Sequence, residues 1–274
     1  MRSVGPWLML LVGLALAVVY LFPLYWMYVT SLQTNSEIFA SPPTFYPAHP
    51  DLNVYAEVWV QRTMQTFLWN STLIAAGVTA ISALFGTGAA YVLARYRNIW
   101  IDIGLFTVLM VQVLPSSVLV TPLFVGFFQV GLLSFPRTAV TLAAAAKALP
   151  FYVVLVRASF MSVPRELEEA ALVDGNSRIG AFFRIVLPLA RNGILVCSIL
   201  IFMHAFGEYI YSTSLIQDPT LQPASVGLSG FLGPNTNDWK SIMAYSAIYV
   251  TPILAVFVLL QRRIIAGLTS GALK

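Results

Sequence analysis

The chain holds 274 residues, 58% of them hydrophobic and only 9% charged, with a formal net charge of +4. Its 15 basic and 11 acidic residues cannot clothe a soluble protein of this size, where the charged share is usually about 25%, and disorder is excluded because it needs low hydrophobicity. What remains is an all-α integral membrane protein, with room for about six spans of roughly 20 apolar residues each.

In chain order, the first predicted span is 7–29, an apolar run too long for a cleaved secretory signal and read as a retained anchor. A polar stretch to Asn70 follows, with Pro42, Pro43, Pro47 and Pro50 preventing a continuous helix. The second span is 71–94, where Ser82, Gly86 and Ala90 lie four apart and present small residues for close helix packing. The third, 102–128, carries Pro115 and Pro122, which predict a kink or unwound segment. The fourth, 138–160, is broken by Pro150; the fifth is 192–216; the sixth, 241–260, contains Pro252 and is followed by a tail, 261–274. The whole of 1–274 reads as one transmembrane domain.

Placing the N-terminus in the cytoplasm puts eleven Arg and Lys residues in inner segments, against Arg62, Arg137 and Lys240 outside. That bias orients both termini to the cytoplasm. The single cysteine, Cys197, excludes an internal disulfide, and His49 and His204 do not compose a histidine metal site. No basic patch with interleaved aromatics points to nucleic acid.

The inner segment 161–191 is the richest in charge, with eight charged residues in 31. It reads as two short helices. Ser162 is placed to cap the first, with Pro164 in its first turn and Glu166, Glu168 and Glu169 near its positive end. Gly175 stops it, and Asn176 or Ser177 caps a second helix that Pro188 ends. Such a helix–turn–helix suits docking in a groove of a partner; its pattern equally suits a solvated loop whose apolar residues rest on the membrane surface.

Glu169-Ala170-Ala171, three residues, Gly175, nine residues, Ile185, one residue, then Leu187-Pro188 resembles the EAA motif. That motif marks the membrane subunits of binding-protein-dependent ABC importers. The resemblance implies the permease fold, with 161–191 as the coupling helices that dock into an ATPase subunit. Glu169 would contact the ATPase, Gly175 give the turn, and Ile185, Leu187 and Pro188 set the second helix. Gln261-Arg262-Arg263 followed by Gly267-Leu268-Thr269-Ser270-Gly271-Ala272 is similar to the C-terminus of maltose-type permeases of the carbohydrate uptake branch. This implies a tail that reaches the ATPase dimer interface; the two arginines alone would favour an anchor at the lipid headgroups, for which the following Gly-Leu-Thr-Ser-Gly-Ala is not needed.

Polar residues inside spans are the candidates for a substrate path: Gln112 and Ser116 near the proline breaks, Lys147 in span four, and His204 with Glu208 in span five, four apart and so able to hydrogen-bond. Neutral sugars suit such a lining, and the same groups also serve as hydrogen-bonding glue between helices or to a second permease. Many relatives of the carbohydrate branch carry Trp-Asn-Asp/Glu where this chain has Phe206-Gly207-Glu208.

The implied assembly is a second permease subunit in a heterodimer, a dimer of ATPase subunits and an extracytoplasmic solute-binding protein, in the lipid of a prokaryotic cytoplasmic membrane. The solute would be an oligosaccharide, amino sugar or glycerol-phosphate type, moved inward by alternating access. No catalytic residue, metal or bound cofactor is expected in this chain: Lys147, Lys240 and Lys274 do not follow glycine, so the Gly-Lys-Ser/Thr phosphate loop is absent and Mg-ATP belongs to the partner. The rival readings are a secondary transporter using Glu208 as a proton carrier and an intramembrane enzyme built on His204 and Glu208.

Overall fold

The computed structural model describes residues 5–61, 63–96, 98–231 and 238–269. Among them the regular structure is helical throughout. In chain order come α1 (Pro6–Leu32), α2 (Asn35–Ile38), α3 (Asn53–Gln61), α4 (Met64–Arg95), α5 (Ile99–Val111), α6 (Ser116–Gln129), α7 (Pro136–Met161), α8 (Arg165–Val173) and α9 (Arg178–Ala181). A π-turn, Phe182–Val186, leads into α10 (Leu187–Phe206), followed by α11 (Ile210–Leu215), α12 (Ala224–Ser229) and α13 (Trp239–Thr269).

Among the described residues five helical runs are long and apolar enough to cross a membrane: Trp7–Leu32, Met64–Arg95, Pro136–Met161, Arg178–Phe206 and Trp239–Arg262. The pair α5 and α6, bent by 91°, makes a sixth if counted as one span. The expected third span is therefore not a continuous rod: it breaks after Val111, and Pro115 becomes the residue that caps α6. By contrast Pro122 and Pro150 lie inside unbroken α6 and α7, so the break expected at Pro150 does not occur. A span helix tolerates proline when its neighbours and small backbone adjustments satisfy the freed carbonyl. The fifth span differs too. The helix ends at Phe206, Gly207 caps it, and α11 is a separate element.

The chain forms two compact units, 1–65 with 227–252, and 66–226 with 253–274. In the first, the apolar face of α1 is exposed through its first turns, as a lipid-facing helix requires. The polar stretch after α1 is pinned by side chains. Ser31 Oγ meets Tyr55 Oη at 2.6 Å, and Gln33 Nε2 donates to the Thr44 carbonyl and hydroxyl, each at 2.9 Å. Glu37 closes a capping box with Thr34 and accepts the Ala48 N–H at 2.8 Å. Lys240, expected on the outer side, pairs with Asp51.

In the second unit, α7 supplies the middle of the core: Ala139, Val140, Ala143, Ala145, Tyr152, Val156 and Phe160 are buried. Ser82, Gly86 and Ala90 of α4 are all buried, and a Cβ on Gly86 would stand 2.5 Å from the Tyr152 ring. That close approach is what the small-residue stripe permits. Arg137, also expected on the outer side, donates to Asn70 Oδ1 at 2.9 Å, while Asn70 Nδ2 donates to the carbonyls of Thr220 and Gln222. Arg137 thus braces the fold.

Candidate functional site

Segment 161–191 is an exposed helix–turn–helix built as its residues dictate. α8 is capped by Pro164, whose fixed φ suits a helix start, and carries Glu166 and Glu168 in its first turn. Ser162, expected to cap it, instead donates to the Ser159 carbonyl at 2.7 Å and closes the end of α7. At the far end of α8, Gly175 has φ +87°. Its N–H bonds the Leu172 carbonyl at 3.1 Å and the Asn176 N–H bonds the Ala171 carbonyl at 3.0 Å, the paired bonds of a Schellman stop. A side chain there would be strained. Ser177 Oγ then accepts the Gly180 N–H at 3.1 Å and caps α9.

The second helix does not end at Pro188. The helical run continues from Arg178 to Phe206. The proline ring would clash with the carbonyl of Arg184 four residues back, and the π-turn at Phe182–Val186 widens the helix there, with the Leu187 N–H bonding the Phe182 carbonyl. Ile185, Leu187 and Pro188 of the motif therefore sit at the joint between the exposed segment and the span.

The three glutamates part company. Glu168 is latched inward: its Oε2 accepts Arg95 Nε at 2.8 Å and its Oε1 accepts the Tyr91 hydroxyl. Arg95 Nη1 also donates to the carbonyls of Phe160 and Val163, at 3.4 and 3.3 Å. Glu166 and Glu169 are exposed, and among the described residues Glu169 makes no ion pair. Beside it opens a groove of about 630 Å³ lined by Tyr91, Arg95, Glu168, Glu169, Phe182 and Phe183. Local spacing does not reveal the Tyr91–Arg95–Glu168 latch, since its partners lie more than seventy residues apart; the signal in the sequence was a third acid beside the motif. Of the tail residues, Gly267, Leu268 and Thr269 fall in α13, and Gly271 lies outside the described residues.

Three of the expected path residues meet at the α5–α6 break. A cavity of about 500 Å³ is lined by Gln112, Lys147, Tyr211 and apolar side chains including Val111, Leu119 and Pro122. Lys147 Nζ donates to Ser116 Oγ at 2.5 Å. His204 does not join them: it is exposed on α10 and does not line this cavity. The expected His204–Glu208 bond is replaced by a helix cap. Glu208 Oε1 accepts the Tyr211 N–H at 2.7 Å, and Oε2 accepts the Ser212 N–H at 2.9 Å and its hydroxyl at 2.6 Å. The four-residue rule needs an unbroken helix, and this one stops at Phe206.

Among known proteins, the sulfoquinovosyl glycerol transport system permease protein SmoH of Agrobacterium fabrum is 34% identical over 254 residues, 93% of this chain and 89% of that one. The trehalose/maltose transport system permease protein MalG of Thermococcus litoralis is 31% identical over 277 residues, 97% of this chain and 96% of that one. The fold matches a chain in the crystal structure of a bacterial ABC transporter involved in import of the acidic polysaccharide alginate, with a TM-score of 0.78, 19% identity, and coverage of 96% of this chain and 98% of that one. Residues 82–270 match the family described as binding-protein-dependent transport system inner membrane component. That match takes in the bent pair, the cavity and the whole of 161–191, and by it the chain belongs to this family of inner-membrane ABC importer permeases.

Proposed function

We propose that this permease carries a sugar or sugar-like solute inward, and that segment 161–191 receives the drive from the ATPase. Family membership brings a permease, ATPase and binding-protein assembly in general terms. The finer composition proposed is a heterodimer with a second permease and a dimer of ATPase subunits that binds Mg-ATP, with 1–274 acting as one permease unit and both termini cytoplasmic. The observation that carries the coupling role is the exposed Glu169 on α8, followed by the left-handed glycine turn at Gly175. An amphipathic helix with a rigid stop presents a fixed surface to a groove. Closure of the ATPase dimer would move α8 and α9, and the spans would rock from inward- to outward-facing. Gly267, Leu268, Thr269 and Gly271 would add a second contact with the ATPase.

The sugar class is supported by the relatives named above, whose names specify sulfoquinovosyl glycerol and trehalose or maltose, and by a cavity that joins polar groups with apolar faces. The test is ATP-driven uptake by the reconstituted transporter carrying Glu169→Lys or Gly175→Arg. Uptake should fall to background while membrane insertion and the amount of permease stay unchanged. Normal uptake by both variants would remove the coupling assignment.

A further inference from the structure

Lys147 stands near the middle of α7, a helix long and apolar enough to span a membrane. A charge at that depth is costly unless it faces a pathway, an opposite charge or water. Its partners here are neutral: Ser116 Oγ at 2.5 Å and the Leu114 carbonyl at 3.5 Å. Among the described residues no carboxylate lies within salt-bridge reach of Nζ. The acids around this region are committed elsewhere. Asp102 pairs with Arg157 at 2.7 Å, and Glu208 holds the N-terminus of α11 with both oxygens.

The ammonium is aimed at the start of α6. Ser116 is the first residue of that 14-residue helix, and Pro115 before it offers no side-chain cap. Lys147 Nζ, bonded to the side chain at the first position of α6, thus lies near the positive end of that helix's dipole. A broken span whose half-helix begins beside a transport cavity is a recurrent arrangement for anionic solutes. The cavity at this point, about 500 Å³, otherwise presents Val108, Val111, Leu119, Pro122 and Leu123, apolar faces on which a sugar ring can lie.

The geometry points to an anionic substituent on the transported sugar — a carboxylate, sulfonate or phosphate — seated between Lys147 and the N-terminus of α6. The inference rests on the carbohydrate reading above and narrows it: the favoured solute is acidic, and Lys147 reads its charge. Gln112, across the break, supplies an amide to a neighbouring hydroxyl.

The test uses the complete transporter in proteoliposomes, with its second permease, ATPase and binding protein. Three labelled probes are offered: sulfoquinovosyl glycerol, a glucuronic-acid disaccharide and neutral trehalose. At least one anionic probe should accumulate with ATP, and trehalose should not. Lys147→Gln should lower anionic uptake about thirtyfold or more, the range for removing one partner of a desolvated charge pair. Lys147→Arg should retain most of it, and binding-protein-stimulated ATP hydrolysis should confirm that both variants assemble. ATP-driven accumulation of trehalose, equal in wild type and Lys147→Gln, overturns the inference and leaves the sugar importer standing. So does anionic uptake indifferent to Lys147→Gln, or a carboxylate of the second permease found paired with Lys147 in the assembled structure. No ATP-driven uptake of any probe overturns the sugar reading itself.

Discussion

Replacing Glu168 with alanine isolates the latch that holds α8 against α4. The Arg95–Glu168 contact is 2.8 Å long, and the two side chains are 13% and 15% exposed. Breaking a buried pair by removing one partner typically costs about 3–5 kcal/mol, because the other charge is stranded. Here Arg95 keeps two backbone carbonyls at 3.3 and 3.4 Å, and some water reaches it, so about 2–3 kcal/mol is expected. That is roughly a 30- to 160-fold rise in the opening equilibrium of α8 at about 1.36 kcal/mol per decade. Hydrogen exchange of the α8 amides in the purified transporter reads this directly. Glu169→Ala is the control one residue away: its carboxylate is exposed, so exchange should change by less than about 0.5 kcal/mol. Replacing both Arg95 and Glu168 with leucine should restore much of the protection, since no charge is then stranded. Unchanged α8 exchange in Glu168→Ala, or an equal change in Glu169→Ala, would refute the reasoning.

The remaining predictions concern packing and protonation. Gly86→Val places a Cβ 2.5 Å from the fully buried Tyr152 ring, and the overpacking should cost about 1–3 kcal/mol, read as a lowered unfolding midpoint in detergent that Tyr152→Ala partly restores. In the 34–53 stretch, Asp51 is held below its ordinary 3.8 by the Lys240 ammonium and then by the Asn53 N–H, and Glu37 below its ordinary 4.5 by the Thr34 and Ala48 N–H groups. Lowered folded values mean that this ordering is complete above the ordinary carboxylate range and is lost as pH falls through the lowered values. Protection of this stretch should therefore hold from about pH 7 to about pH 5 and fall below that, with Asp51→Asn showing the weaker dependence.

The helix–turn–helix was legible because its signals are local: a glycine at the stop, Ser177 at the start of α9 and a run of acids between prolines. The errors came where a local rule presumed something about the backbone. Pro188 looks like a terminator until the π-turn widens the helix ahead of it, and Ser162 looks like a cap because serine favours that position and Pro164 suits the first turn after it. His204 and Glu208 look paired only on a continuous helix, and Gly207 ends that helix. Prolines were similarly ambiguous: Pro115 marks a break while Pro122 and Pro150 do not, because the surroundings that satisfy a freed carbonyl are tertiary. The joining of Lys147 to Ser116, and of Arg95 to Glu168, crosses between helices and has no signature in spacing.

The unbroken run from Arg178 to Phe206 has a mechanical meaning. It is 29 residues, about 43 Å at 1.5 Å per residue, and no loop interrupts it to absorb a displacement. One end begins at the Ser177 cap beside the exposed turn; the other ends just before Glu208, whose carboxylate grips α11. The π-turn adds a residue to one winding, so the two ends are offset in rotation as the throws of a crankshaft are. Under the coupling role proposed above, a push on α9 would reach the far end as translation and twist together, passed to α11 by the backbone of 207–209 and by the Glu208 carboxylate.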